Sequence, residues 1–477
     1  MISLLTIDEL VKAVKGKCLS CNKDYGFESV VTDSRNVVKN SLFVPLIGEF
    51  QNGHKYIPGA IEKGASVIFV NKDEVKKDKA LYQKLAAENN VCFIAVKNTL
   101  HALQDAAEAY VNKFPRLVKI SITGSCGKTT TKEMLVSVFK AKFGDKVIYT
   151  QGNFNSETGL PLSVFNIREN HEYGIFEMGM NRVNEIGEIS KVLKSKYGII
   201  TNIGTAHIGI LGSRKNIAIE KRKSFNYIPK DGAAFVPFED DFASFCLKGV
   251  KGKKVLFGKS IDEKTSGVKF IKNNGLKGIT FSVDGLEVNL PLSGDHNFVN
   301  ALGVVALAKE CGIEKEFIKK GLEGMAKLSG RMEIEDAVLK SGAKVTLLKD
   351  CYNANPDSMT KVIEFVSDVK ETGKKYFVLA DMLELGEKSK EAHAGIGSVL
   401  LNSDFTKVIL VGKEMNACVQ VLKENNITAY EYYETNSKEN FTQIAQNLTK
   451  LCQNGDVIVF KGSHSMALEN IIGEVTK

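Results

Sequence analysis

One stretch constrains the fold of this chain more than any other: Ile120-Ser-Ile-Thr-Gly124-Ser-Cys-Gly127-Lys128-Thr129-Thr130-Thr131-Lys-Glu-Met-Leu-Val. A run of β-branched residues leads into a glycine-bearing loop, and the loop opens directly into a helix-forming segment. Glycines let backbone N–H groups approach phosphate oxygens, and a helix N-terminus adds favourable partial charge. Lys128 is placed to meet the β- and γ-phosphates, and the Thr129 hydroxyl to ligate Mg²⁺. The longer pattern G-x-x-x-x-G-K-S/T would need glycine at 122, where Ile122 stands. The signature is therefore the shorter G-x-x-G-K-T-T, with Gly124, Ser125, Cys126, Gly127, Lys128, Thr129 and Thr130 as the candidate nucleotide loop. Strand, loop and helix in this order belong to a parallel α/β sheet.

The rest of the chain extends that pattern. At 477 residues it is long enough for two or three domains, and three blocks emerge: 1–98, 99–328 and 329–477. In the first, Leu42–Leu46 and Val67–Val70 read as strands with a short helix at Gly59–Gly64 between them. In the second, a helix at Thr99–Phe114 precedes strands at Leu117–Ile122, Gly174–Glu177, Tyr197–Asn202 and Ala233–Val236. In the third, strands at Val345–Leu348, Tyr376–Ala380, Val408–Val411 and Val457–Phe460 alternate with helices, so doubly wound parallel sheets are expected. Segment 251–292 reads instead as antiparallel β, with Asp284-Gly285 as a hairpin turn.

Composition narrows the function. Lys and Arg exceed Asp and Glu by 64 to 56, a mild excess spread over the chain without the basic, aromatic-interleaved stripe of a nucleic-acid binder. No apolar run is long enough for a membrane helix, and Asp8 and Glu9 near the N-terminus do not suit a signal peptide, so a cytoplasmic protein is expected. The nine cysteines are scattered apart from the Cys18–Cys21 pair, which lacks the second pair or His cluster of a zinc site, so reduced thiols are expected.

A phosphate loop leaves the acceptor open. In open α/β sheets ligands bind beyond the carboxyl ends of the strands, so polar residues there are the candidates. Glu177 ends the strand Tyr173-Gly-Ile-Phe-Glu177; an acid there is placed to hold Mg²⁺, or else is a surface acid. His207, in the loop Ile203-Gly-Thr-Ala-His207, is by itself a ligand or an ordinary loop residue. Ser213–Ile228 reads as a helix with Ser213 as N-cap, and Lys221 falls on its apolar stripe between Ile217 and Phe225. A lysine on a buried face snorkels, finds a partner or is chemically modified, because a bare buried ammonium is costly.

With these residues assembled, the chain resembles the Mur ligase family of peptidoglycan synthesis along essentially its whole length. The resemblance is carried by Thr32-Asp33-Ser34-Arg35, Ser41-Leu-Phe-Val-Pro-Leu-Ile-Gly48, the phosphate loop, Gly152-Asn-Phe-Asn155, Glu177-Met-Gly-Met-Asn181-Arg182 and the His207-to-Lys221 interval. It continues through Gly294-Asp-His-Asn297-Phe-Val-Asn300, Gly330-Arg331-Met-Glu, Asp350-Cys-Tyr-Asn353-Ala-Asn355-Pro, Asp381-Met-Leu-Glu-Leu-Gly-Glu387 and Lys461-Gly-Ser-His464-Ser. The resemblance implies three domains: 1–98 for a uridine nucleotide, 99–328 as a central ATPase with a parallel sheet plus a small antiparallel one, and a Rossmann-like 329–477. It implies that Ser34 and Arg35 contact the UDP end, and that Asn153, Asn155, Asn181 and Arg182 line the muramoyl-peptide channel. Asn297 and Asn300 would hold adenine, and Arg331, Asp350 and Asn353 would reach ribose and phosphates. Lys461 and His464 would belong to the substrate site. Thr129, Glu177, His207 and Lys221 would serve two Mg²⁺ ions, Lys221 as the residue the family carbamylates.

The activity implied is ATP-dependent joining of D-alanyl-D-alanine to UDP-N-acetylmuramoyl-tripeptide through an acyl phosphate, by a monomer with no nucleic-acid or membrane partner. Met180 and Val183-Asn184 depart from the family's Glu-Met-Gly-Ala-Asn-Arg-Pro-Gly run, His464 stands where arginine is common, and Lys223 replaces a common acid. The rival that adds the third amino acid typically carries Asp-Asn-Pro-Arg, absent here. Folylpolyglutamate synthetase would not explain residues 1–98. A non-catalytic nucleotide-binding protein would not need Lys128, Glu177, His207 and Lys221 together.

Overall fold

The computed structural model describes residues 3–20, 25–370 and 372–477. Cys21, one half of the Cys18–Cys21 pair, lies outside the described residues. Four sheets follow one another along the chain. The first holds β1 (Lys17–Ser20), β2 (Ser29–Val31), β3 (Ser41–Phe43), β4 (Ala65–Asn71) and β5 (Cys92–Val96) in the order β1-β5-β4-β3-β2. It is parallel except for β1, which runs against β5.

The second sheet positions the site. Its strands are β6 (Val118–Thr123), β7 (Val147–Tyr149), β8 (Tyr173–Glu177), β9 (Tyr197–Ile200), β10 (Ala233–Pro237) and β11 (Lys253–Phe257), all parallel in the order β11-β10-β9-β6-β8-β7. β6 sits between β8 and β9, with Ile122 opposite Glu177 and Thr123 opposite Ile200. The loop leaving β6 is thus flanked by the carboxyl ends of both neighbours, at the point where the connections turn from one side of the sheet to the other. Lys253–Phe257 corrects the expectation for 251–292: it pairs in parallel with β10, not in an antiparallel unit. An edge strand with one exposed face alternates just as a hairpin strand does, so its partner cannot be read locally.

The antiparallel expectation holds for β12 (Val268–Asn273), β13 (Ile279–Val283) and β14 (Leu286–Leu290). Asp284 and Gly285, at φ +46° and +79°, make the two-residue turn between β13 and β14, the left-handed pair that matches strand twist. The fourth sheet runs β15-β16-β20-β17-β18-β19 from β15 (Glu333–Val338), β16 (Lys344–Asp350), β17 (Lys375–Ala380), β18 (Lys407–Val411), β19 (Tyr430–Tyr433) and β20 (Val457–Lys461). Only its edge strand β15 is antiparallel to its neighbour.

One hydrophobic cluster joins the first sheet, the helix Thr99–Val111 and one side of the central sheet, from Leu10 and Phe69 through Leu103 to Phe176 and Ala234. The fourth sheet has two clusters of its own, one on each face. No helix among the described residues is long and apolar enough to cross a membrane.

Candidate active site

A cavity of about 1970 Å³ opens where the central sheet meets the fourth sheet. Its floor is the phosphate loop, Ser125 to Thr130, followed by the helix Lys128–Phe143. Two glycines are required there for different reasons. Gly124 holds φ +154°, and a Cβ on it would fall 1.8 Å from Thr201 Oγ1 at the end of β9. Gly127 caps the helix at φ +78°, and a Cβ there would fall 2.8 Å from Asn300 Nδ2. The loop is stapled to the residues after β9: Ser125 N donates to Asn202 O at 3.0 Å, and Cys126 N to Asn202 Oδ1 at 3.0 Å.

Lys128 folds back over the loop, its Nζ donating to Gly124 O at 2.8 Å and Ser125 O at 3.3 Å. Burial pushes its pKa down, against the opposing pull of Glu177. Beside it, Thr129 Oγ1 donates to Glu177 Oε2 at 2.9 Å, and Asn155 Nδ2 to Glu177 Oε1 at 2.7 Å. Glu177 is buried, so it is a site carboxylate rather than a surface acid.

Lys221 lies directly behind the loop. Ser213 caps the helix Arg214–Lys221, after which the chain tightens into a 3₁₀ turn at Arg222–Phe225, so the expected single helix is in two parts. Lys221 is 1% exposed, and its Nζ donates to Gly124 O at 2.9 Å, the carbonyl that Lys128 also uses. Burial first, and the charge of Lys128 second, hold its pKa well below the ordinary lysine value. This is not a snorkelling side chain.

The C-terminal wall is cationic and stacked. The Arg331 guanidinium lies 3.8 Å from the centre of the Tyr352 ring, and Tyr352 stacks on His464. Lys461 is buried and donates to Asp350 Oδ2 at 2.6 Å and Asn353 O at 3.0 Å. Asn297 and Asn300 line the same cavity from the helix Asp295–Glu310, with Asn297 Nδ2 held by Ser293 O at 2.8 Å. Nearby, burial lowers the pKa of His296 to about 4.

The cavity gathers Ser125–Thr130, Asn153, Asn155, Glu177, Asn181, His207, Asn297, Asn300, Arg331, Asp350, Asn353, Lys461 and His464. Gly124 and Lys221 sit just beneath its surface. Arg182 is turned away between Glu157 and Glu188, which raise its already high pKa, Glu188 most. Ser34 and Arg35 lie apart, in the turn Ser34–Asn36 of the first sheet's region. Arg35 is exposed there and pairs with Asp33 at 2.6 Å, holding the Asp33 pKa at about 2.

Tertiary neighbours not legible from sequence are Thr201 and Asn202, which fix the phosphate loop, and Asp357 and Glu384, which reach Thr205 and His207 in the loop after β9 from the C-terminal side. The donor set fits magnesium in a specific way. No group of three or more His, Cys, Asp or Glu that could hold a metal occurs among the described residues. Mg²⁺ is commonly held by one or two carboxylates plus substrate phosphates, and Glu177 with the Thr129 hydroxyl supplies that minimum.

Comparisons agree with this architecture. Residues 27–111 match the Mur ligase family catalytic domain, 122–308 the Mur ligase middle domain, and 330–464 the Mur ligase glutamate ligase domain. The chain is 37% identical to a UDP-N-acetylmuramoyl-tripeptide–D-alanyl-D-alanine ligase of Treponema pallidum over 98% of both chains. It is 32% identical to the ligase of that name in Bacillus subtilis, again over 98% of both. A crystal structure of MurF from Acinetobacter baumannii superposes with a TM-score of 0.85 at 27% identity, covering 98% of each chain. Three matched domains in order, and relatives that align from end to end, establish that the chain belongs to the Mur ligase family.

Proposed function

We propose that this chain uses ATP to join D-alanyl-D-alanine to UDP-N-acetylmuramoyl-tripeptide, the reaction named for its relatives. The observation that carries the reading is the 37% identity to one such ligase across 98% of both chains. In this reading residues 1–98 hold the uridine end through Ser34 and Arg35, 99–328 carry the chemistry, and 329–477 close over it.

A peptide carboxylate is a poor electrophile, so the γ-phosphoryl group of ATP is first moved onto it. Phosphoryl transfer needs positioning and charge more than covalent help. Lys128, half-buried at the helix N-terminus, meets the charge on the transferring group. The backbone N–H groups of Ser125 to Thr130 cradle the phosphates, Asn297 and Asn300 face adenine, and Arg331, Asp350 and Asn353 complete the nucleotide pocket. Asn153, Asn155 and Asn181 orient the tripeptide carboxylate, and Lys461 and His464 lie toward the dipeptide. The dipeptide amine then attacks the acyl phosphate, and phosphate leaves from a tetrahedral intermediate. Closure of the C-terminal wall keeps water from the acyl phosphate.

Thr129, Glu177 and His207 would hold magnesium, which when bound offsets the negative charge of the phosphates. Lys221 belongs to a second ion only after modification: its amine attacks CO₂, loses a proton and becomes a carbamate with oxygen donors. Burial next to Lys128 lowers the pKa of that amine, which favours the uncharged, nucleophilic form that carbamate formation needs. The enzyme works as a monomer in the cytoplasm, where ATP and nucleotide-linked precursors are found.

The test is release of ADP and phosphate from ATP in the presence of UDP-N-acetylmuramoyl-tripeptide and D-alanyl-D-alanine, with the pentapeptide product found by mass spectrometry. Turnover that does not depend on the dipeptide, or that needs UDP-N-acetylmuramoyl-dipeptide and a single amino acid instead, would overturn the reading.

A further inference from the structure

The loop after β9 meets the C-terminal side of the cavity at every second residue. Thr205 N and Oγ1 donate to Asp357 Oδ2 at 2.6 and 2.7 Å. His207 Nδ1 lies 3.0 Å from Glu384 Oε2. Gly209 backs onto Gly386 so closely that a Cβ on Gly209 would fall 2.6 Å from Gly386 N. Asp357 stands at the start of the helix Pro356–Asp368, and Glu384 and Gly386 follow β17, so all three partners come from beyond the central sheet. The other edge of the loop grips the phosphate loop, with Gly204 N donating to Ser125 Oγ at 2.8 Å. Gly204 also makes room for Asp357, whose Oδ2 would be 2.4 Å from a Cβ there.

The middle contact is the unusual one. His207 and Glu384 both hold φ +63°, a left-handed conformation that residues other than glycine avoid. Such strain persists where the surroundings impose it, and it gathers at working sites. His207 Nδ1 is buried without any other hydrogen-bond partner, and the Glu384 carboxylate, paired with it at 3.0 Å, is the acceptor within reach. Which ring nitrogen of a histidine does the work is decided by what the other one donates to.

We propose that Glu384 is a positioning residue for the ligation. It accepts the Nδ1–H of His207 and fixes the tautomer in which Nε2 is free for the reaction site. The partner arrives from the C-terminal side, so His207 is set when Thr205 and Gly209 are docked on Asp357 and Gly386. The docking thereby couples the two walls of the cavity to one ring. The proposal rests on the reading of His207 as part of the reaction site.

The experiment compares Glu384→Ala, Glu384→Gln, His207→Ala and the double variant in the ADP-release assay, with nitrogen NMR of ¹⁵N-histidine-labelled full-length protein. The Glu384 side chain is 53% exposed, so its loss leaves the core intact, and melting temperatures verify this. Glu384→Ala should lower kcat roughly 10–100-fold with the KM for both substrates unchanged, as loss of an outer partner of a site histidine does. Glu384→Gln, which retains an acceptor oxygen, should recover part of that loss. In the His207→Ala background, removing Glu384 should cost nothing further. The His207 signals should report protonated Nδ1 in the wild type and a shift toward protonated Nε2 in Glu384→Ala. Asp357→Asn, which weakens the docking from the other end, should also lower kcat at constant KM. Normal kcat in Glu384→Ala alongside a disabled His207→Ala, or fully additive losses in the double variant, would overturn the proposal. Normal turnover of His207→Ala would instead remove the reading on which it stands.

Discussion

Replacing Lys221 by methionine should make the protein more stable and inactive at once. The amine is 1% exposed and donates to Gly124 O, which keeps Lys128 as a donor when Lys221 is gone. Burial, reinforced by Lys128, holds the folded-state pKa well below 10.5. Between that depressed value and the ordinary one, the unfolded chain binds a proton that the folded chain does not. Stability therefore rises with pH across this window, by about 1.4 kcal/mol per pH unit, and is flat outside it. At neutral pH the folded state carries a penalty that an uncharged, unbranched side chain of similar length lacks. Exchanging buried ionic groups for apolar ones of similar volume gains about 1–4 kcal/mol. At about 2–4 °C per kcal/mol in larger domains, the melting temperature should rise by at least ~2 °C at neutral pH. The gain should shrink toward zero as pH nears the ordinary lysine pKa. Turnover of both Lys221→Met and Lys221→Arg should fall by more than about 100-fold, because neither can form a carbamate and arginine keeps the repelling charge. Calorimetry in bicarbonate-free buffer at neutral and alkaline pH, with the ADP-release assay, reads both effects. A lower melting temperature for Lys221→Met at every pH would refute the burial argument, and normal turnover of Lys221→Arg would refute the carbamate.

Lys128→Ala should abolish ATP turnover and leave the fold intact, since Nζ touches only loop carbonyls and its loss relieves the repulsion on Lys221; near-normal ADP release would remove Lys128 from its role. Gly127→Ala, at φ +78° and with Asn300 Nδ2 2.8 Å from the new Cβ, should raise the KM for ATP and cost about 1–3 kcal/mol. Asn300→Ala in the same chain should recover only the part of the stability lost to the clash, the left-handed strain at 127 remaining, and should not recover the affinity. Arg35→Ala should raise the KM for the UDP substrate and leave that for ATP unchanged, as steady-state kinetics would show; equal effects on both would move Arg35 out of the uridine site.

What could be read from sequence was local. The strand into Gly124, the cap at Ser213 and the turn at Asp284-Gly285 each depend on neighbours in the chain, and each is found in the structure. The strand Lys253–Phe257 was misassigned because its side-chain alternation carries no record of which strand it pairs with. β15 and β19 went unnoticed because their residues are half-exposed and polar, without an apolar run. At the site, the phosphate loop and Glu177 were legible as motif and strand end. Thr201, Asn202, Asp357 and Glu384 were not, because their roles come from β9 lying beside β6 and from loops of the fourth sheet reaching across. The burial of Lys221 was foreshadowed by its apolar stripe, but its shared carbonyl with Lys128 needed the fold.

The way the hydrophobic clusters are shared bears on how the chain comes apart. The cluster that runs from Leu10 and Phe69 through the helix Thr99–Val111 to Phe176 and Ala234 has no natural break near residue 98. The fourth sheet's two clusters take little from the rest of the chain, Ile208 and Leu276 packing against one of them, and polar contacts such as Thr205 with Asp357 supplement that thin apolar seam. Heating should therefore melt the polypeptide in two calorimetric steps, one for roughly the first two-thirds as a unit and one for the remainder. Scission near residue 330 should release fragments that each stay folded. Scission near residue 98 would bare Ala102, Leu103 and Ala106 to water and leave two pieces prone to clump.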